Sequence, residues 1–243
     1  GRYGSTTTIE LENLIKELEE AYHVFLTATG FGGISLALFS LCRPGDEILV
    51  SDNVYSPTKE IAEKLLKEFN VTAIFYNPEK FEDLKNKITK KTKMILVENP
   101  GSNTFEFQDL SKIVNLAKKK NILTFLDNTW GTPLYLKPLK LGFDMSFSSA
   151  TKYFSGHSDA MGGTLAVNKK VYKKISFFYK LSGYRMSADE AYLIIRGLRT
   201  LDVRLKVHFE NTKTVINFLK KQKKIKEVLY PHIVASKNYK LWK

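Results

Sequence analysis

The sequence predicts an α/β fold with a mostly parallel central sheet flanked by helices, and three observations lead there. Short apolar runs read as strands at residues 23–27, 47–50, 71–75, 94–97, 122–126, 145–147 and 164–167. Helical spacing fills most of the gaps, at 34–41, 58–69 and 110–120. From about Thr200 the alternation stops and one long amphipathic pattern begins. Strands alternating with helices favour parallel pairing, with helices on both sheet faces.

Taken in order, Leu11, Leu14, Ile15, Leu18 and Ala21 recur at helical spacing, after a Ser/Thr-rich start able to cap a helix. The segment Thr29-Gly30-Phe31-Gly32-Gly33 follows the first strand and leads into the helical run from Ile34. A glycine-rich turn at a helix N-terminus offers free N–H groups and a favourable dipole to a phosphate. Beyond Thr200, Leu205, Phe209, Val215, Phe218 and Leu219 mark the apolar side of a linker helix. Val228-Leu229-Tyr230-Pro231 then reads as a short strand. The expected division is a large domain over residues 1–199 and the beginning of a smaller C-terminal domain over 200–243.

At 243 residues the chain can bury a sizeable core. Hydrophobic content of 43% and aromatic content of 12% mark a globular chain and exclude a disordered one. No apolar run approaches the length of a membrane span, and no signal peptide is visible. The chain begins with Gly1 instead of Met, so its true start is expected upstream. Cys42 is the only cysteine, which excludes a disulfide framework and suggests a cytoplasmic setting. It lies in an apolar helical run and reads as a small buried hydrophobe. The net charge of +13 comes chiefly from lysine, since six of the 38 cationic residues are arginine. The lysines are spread over helix faces, as on a solvated surface, and not set in the Arg-rich, aromatic-interleaved pattern of a nucleic-acid binder.

The chemistry concentrates around Lys152. It sits in Ser149-Ala150-Thr151-Lys152-Tyr153-Phe154-Ser155-Gly156-His157-Ser158-Asp159, just past the strand run 145–147, and Gly162-Gly163 follow. The preceding strand run, 122–126, ends in Asp127-Asn128-Thr129-Trp130. An acid at one strand end and a lysine past the next are what a pyridoxal 5'-phosphate site requires. The lysine joins the cofactor aldehyde, and the carboxylate holds a proton on the pyridine nitrogen. Once displaced by substrate, the lysine amine can move the α-proton. His157, between Gly156 and Ser158, reads as a structural loop histidine, and no His/Cys/Asp spacing suggests a metal site.

Six segments then resemble the Cys/Met-metabolism pyridoxal phosphate enzymes, the trans-sulfuration family. They are Tyr55-Ser56-Pro57-Thr58, Glu98-Asn99-Pro100-Gly101-Ser102, Asp127-Asn128-Thr129-Trp130, Ala150-Thr151-Lys152-Tyr153, Gly156-His157-Ser158-Asp159-Ala160-Met161 and Arg196-Gly197-Leu198-Arg199-Thr200-Leu201. They occur in family order across the chain. The resemblance implies an aspartate-aminotransferase-type (fold type I) pyridoxal phosphate domain. It implies phosphate binding by the Gly30 and Phe31 amides and the Ser149 and Thr151 hydroxyls, and a ring-stacking role for Tyr55. Arg2 aligns with a family arginine that reaches the phosphate of a neighbouring subunit, which implies a homodimer or homotetramer. Family members also extend beyond both ends of this sequence, and the arginine that binds the substrate carboxylate is expected past Lys243. Trp130 and Pro100-Gly101-Ser102 resemble the bacterial cystathionine β-lyases, which serve methionine biosynthesis. The alternatives are a γ-acting member (cystathionine γ-synthase, cystathionine γ-lyase or methionine γ-lyase) and a truncated, non-catalytic remnant.

Overall fold

The computed structural model describes residues 4–233 and 239–242. Its sheet has seven strands: β1 (His23–Thr27), β2 (Glu47–Ser51), β3 (Thr72–Tyr76), β4 (Thr92–Glu98), β5 (Leu123–Asp127), β6 (Met145–Ser149) and β7 (Gly163–Val167). Each lies on one of the seven apolar runs. The spatial order is β1-β7-β6-β5-β4-β2-β3. The β2, β3, β4, β5 and β6 pairings are parallel, and β7 alone runs antiparallel to both of its neighbours. The loop carrying Lys152 therefore joins adjacent antiparallel strands and needs no helical crossover.

Alternate strand residues feed two cores. Phe25, Val50, Leu96, Phe125 and Phe147 pack on one face with α2 (Gly30–Leu41) and with the helical stretch that starts at α3 (Ser56–Glu60). That stretch passes through a π-helical turn at Ile61–Leu65 before closing as α4 (Leu66–Glu68). On the other face lie α1 (Thr6–Glu19) and, further along the chain, α5 (Phe81–Asn86) and α6 (Leu110–Lys120). Two short helices, α7 (Thr132–Tyr135) and α8 (Pro138–Leu141), bridge β5 and β6. Three longer ones follow β7: α9 (Lys169–Ser182), α10 (Ala188–Leu198) and α11 (Leu201–Leu219). Cys42 is buried at the end of α2, and burial pushes its thiol up to about 12.

Two local readings change. The glycines of 30–33 form the first turn of α2 instead of a turn before it, because Thr29 caps the helix there, its Oγ1 accepting the Gly32 N–H at 3.0 Å. Residues 228–231 form no strand and pair with none of the seven strands of the sheet. The Ser/Thr-rich start does cap α1, with Ser5 and Thr8 in a capping box, but the inward face of that helix carries an acid. Glu19 is 1% exposed, takes a hydrogen bond from Ser146 Oγ at 3.0 Å and leaves Oε2 without a partner.

Candidate active site

Parallel strands deliver the acids. Glu98 ends β4 and Asp127 ends β5, and the two are register partners. Asp127 is buried and accepts the Thr129 N–H at 3.0 Å. Glu98 Oε2 accepts the backbone N–H of Tyr55, the N-cap of α3, at 2.7 Å. Burial pushes both carboxyls above the ordinary range, and for Glu98 the charge of Asp127 adds to the effect. Hydrogen bonds from Thr129 oppose the shift at Asp127, and those from Tyr55 and Ser102 oppose it at Glu98. Two adjacent buried carboxyls do not readily ionise together. Both carboxyls are pushed towards the protonated form, and the charge of Asp127 pushes Glu98 further in that direction.

The lysine comes from the turn after β6. Ala150 and Phe154 are buried beneath it, while Lys152 itself is exposed to the cleft. The Lys152 N–H bonds Ser149 O at 3.0 Å, and the Gly156 N–H bonds Lys152 O at 2.9 Å. Opposite lies the N-terminus of α2. With the Gly32 N–H taken by Thr29, the amides of Gly30 and Phe31 precede the first intrahelical bond. A Cβ at Gly30 would sit 2.6 Å from Ser149 Oγ, so the helix end approaches β6 only because residue 30 is glycine. Ser149 in turn donates its N–H to Thr129 Oγ1 at 2.9 Å.

These contacts join the sequence-predicted residues into one neighbourhood. Tyr55 connects through Glu98 to Asp127, and Asp127 connects through Thr129 to Ser149, Gly30 and the Lys152 turn. Tyr55 is 50% exposed and Phe31 39%, so neither is packed away in the core. Thr151 is already engaged, its hydroxyl lying 3.1 Å from Gly162 N and 3.3 Å from Gly162 O. To serve a phosphate it would have to turn its proton away from that carbonyl. Arg2 lies outside the described residues. His157 Nδ1 lies 2.6 Å from Ser155 O, in a loop where Gly156 and Ser158 have positive φ, consistent with a structural histidine. Among the described residues no group of three His, Cys, Asp or Glu could hold a metal ion.

In front of the lysine opens a cleft of about 810 Å³, lined among others by Glu98, Ser102, Phe105, Trp130, Lys152 and Arg204. The Trp130 and Phe105 rings meet edge to face at 6.0 Å. Glu98 and Arg204 are the site residues that the sequence reading assigned no role. Glu98 follows the apolar run 94–97 just as Asp127 follows 122–126, and the same strand-end signal applied twice finds it. Arg204 lies in α11, far along the chain, with no local signal.

The donor set suits pyridoxal phosphate. A glycine cradle with free amides can take the phosphate, a lysine faces the cleft, and a carboxyl is held in the interior nearby. The whole chain, residues 1–243, matches the model of the Cys/Met-metabolism PLP-dependent enzymes. The chain belongs to that family, and pyridoxal phosphate is its cofactor. It is 34% identical over 243 residues to a putative cystathionine β-lyase of Rhizobium johnstonii, covering all of this chain and 61% of that protein. It is 35% identical over 240 residues to an L-alanine/L-glutamate racemase of Wolbachia pipientis, covering 99% of this chain and 59% of that one. The crystal structure of cystathionine γ-lyase from Lactobacillus plantarum, complexed with L-serine, superposes with a TM-score of 0.96 at 30% identity, covering 99% of this chain and 63% of that one. The chain thus spans about three fifths of the length of these relatives. Among the described residues no helix is long and apolar enough to cross a membrane.

Proposed function

We propose that the protein is a carbon–sulfur β-lyase that acts on cystathionine, with water giving homocysteine, pyruvate and ammonia. The observation that carries this reading is that Trp130 and Pro100-Gly101-Ser102, the two features that resemble cystathionine β-lyases, line the same cleft as Lys152. Trp130, Phe105 and Met161 give that cleft an apolar wall suited to the methylenes and sulfur of a thioether.

Pyridoxal phosphate, when bound, supplies the electron sink that stabilises a carbanion at the substrate α-carbon. In this reading the amides of Gly30 and Phe31, with Ser149 and Thr151, would hold its phosphate. Tyr55, whose N–H bonds Glu98, would pack on the ring. Asp127, oriented by the Thr129 N–H, would favour the proton on the pyridine nitrogen. Lys152 Nζ would take the substrate α-proton and carry it towards the departing thiolate. Arg2 would complete a partner subunit's phosphate site, making the working unit a homodimer or homotetramer.

The test is the keto acid released from L-cystathionine by the full-length protein. Pyruvate with homocysteine supports β-elimination. Release of 2-oxobutyrate with cysteine would place the protein with the γ-acting members. The racemase relative favours a second reading, because α-proton removal without loss of a leaving group, followed by return of a proton to the opposite face, would invert the centre. Conversion of L-alanine or L-glutamate to the D-form, with no keto acid from cystathionine, would establish it. No turnover at all would sink both readings and leave a non-catalytic member of the family.

A further inference from the structure

The segment Arg196-Gly197-Leu198-Arg199-Thr200-Leu201 resembles the family, yet the reading above gives it no work to do. It joins α10 to α11 and ends three residues before Arg204. The Arg204 Nη2 donates to Tyr153 O at 2.8 Å and to Gly197 O at 2.8 Å, and its Nε donates to Thr200 Oγ1 at 3.0 Å. Tyr153 is the residue after Lys152. One guanidinium therefore ties the lysine turn to the end of α10 and the start of α11.

Two glycines show how closely these parts meet. A Cβ at Gly197 would overlap the carbonyl oxygens of Phe154 and Ser155, and a Cβ at Gly156 would overlap the Arg204 guanidinium. Gly156 also has φ of +74°, where an L side chain is strained. The turn thus lies with its backbone directly on α10 and on Arg204, and Nη1 is enclosed in that contact without a hydrogen-bond partner. The Tyr153 ring rests against His208, one helical turn beyond Arg204, at 5.9 Å. A lysine forms few fixed hydrogen bonds through its flexible stem, whereas the planar fork of arginine can hold two carbonyls in set directions.

We propose that Arg204 is a positioning residue that fixes the Lys152 turn against the α10–α11 junction and so holds the lysine amine at the place where it meets the cofactor. The inference rests on the assignment of Lys152 as the cofactor-binding lysine. Arg204 itself need touch neither cofactor nor substrate. Its action runs through the Tyr153 carbonyl, one peptide from Lys152, and a small displacement of a reacting group costs rate steeply.

The experiment compares the full-length wild type with Arg204→Ala and Arg204→Lys in two arms. The first measures amide hydrogen exchange in the cofactor-free protein. In Arg204→Ala the amides of Lys152 and Gly156 should exchange at least about tenfold faster, while those of β5 and β6 keep wild-type protection. The second follows covalent capture of added pyridoxal phosphate by the growth of its visible band, with borohydride reduction and peptide mapping to locate it. Capture at Lys152 should slow by about 10–100-fold in Arg204→Ala and by less in Arg204→Lys, which keeps a donor for one carbonyl. A folded Arg204→Ala with wild-type exchange and capture overturns the proposal. So does a uniform loss of protection across the sheet, which would mark a general structural role. Should Arg204→Ala not fold, Arg204→Lys decides by the same two readouts. If the wild type attaches no cofactor at Lys152, the functional reading fails, and the exchange arm still decides the role of Arg204.

Discussion

Asp127 and Lys152 are the residues from which both the cofactor and the chemistry could be read. Their pattern is local, since each follows an apolar strand run and each sits at a carboxyl end, where open α/β sheets bind ligands. Asp127→Asn keeps the shape of the side chain and can still accept the Thr129 N–H. It removes the charge that favours a protonated pyridine nitrogen. Cofactor content should stay near that of the wild type while turnover falls by about 10²–10³-fold, as for loss of a directed electrostatic contact in an active site. Steady-state rates beside a spectroscopic cofactor count measure this, and near-wild-type turnover would remove Asp127 from the chemistry. Borohydride reduction followed by peptide mapping should place the pyridoxyl group on Lys152, and an adduct on another lysine with Lys152 unmodified would move the site. Glu98 was less legible as a functional residue because its environment comes from a neighbour on another strand. Its carboxyl is pushed upward by burial and by Asp127, neither of which local sequence displays.

At the scale of elements, periodicity located all seven strands, because their apolar runs stand out in sequence even at the half-buried edge strand β3. It could not give strand direction, so the antiparallel β7 appears only in the structure. Pairing partners are equally invisible locally, and residues 228–231 resemble a strand in sequence yet join none of the seven. The start of α2 was obscured by its glycines, which weaken a helix and usually mark turns. Here they serve close approach, and that makes a prediction. Gly30→Ala would push a methyl group to 2.6 Å from Ser149 Oγ and shift the first turn of α2 away from β6. Its amides would then lose their aim at the phosphate. Losing one or two such contacts, at about 1.5–3 kcal/mol each, should weaken pyridoxal phosphate binding by about tenfold or more. The cofactor-free variant should melt close to the wild type, since the strain is local. Equilibrium titration with the cofactor, alongside thermal melts without it, separates these effects. Unchanged affinity would show that the α2 N-terminus does not carry the phosphate.

The molecule as a whole carries a charge of +13, yet the acids that matter to its stability lie inside it. Burial raises the carboxyls of Glu12, Glu19, Glu98 and Asp127. Each such group favours the fold when protonated, so its contribution is complete below the ordinary carboxylate pKa and is lost as pH rises through the raised value. Exposed Glu20 and Asp83 work in the opposite sense, held low chiefly by their lysine partners, but water screens those pairs. The cofactor-free protein should therefore be more stable at pH 5.5 than at pH 8. Glu19 offers the cleanest test. It lies away from the cofactor site, between α1 and β6, and burial raises it from 4.5 to about 7 against the opposing bond from Ser146 and the charge of Lys137. A shift of that size corresponds to about 3 kcal/mol. Glu19→Gln can still accept the Ser146 hydroxyl but cannot ionise, so it escapes the loss. Relative to wild type the variant should gain about 3 kcal/mol between pH 4.5 and 7.5, with most of the change complete by pH 7. Denaturant melts of the two full-length proteins across that range measure the difference directly. A difference that stays constant with pH would show that Glu19 is already ionised in the fold, with Lys137 or water compensating the charge that the geometry leaves buried.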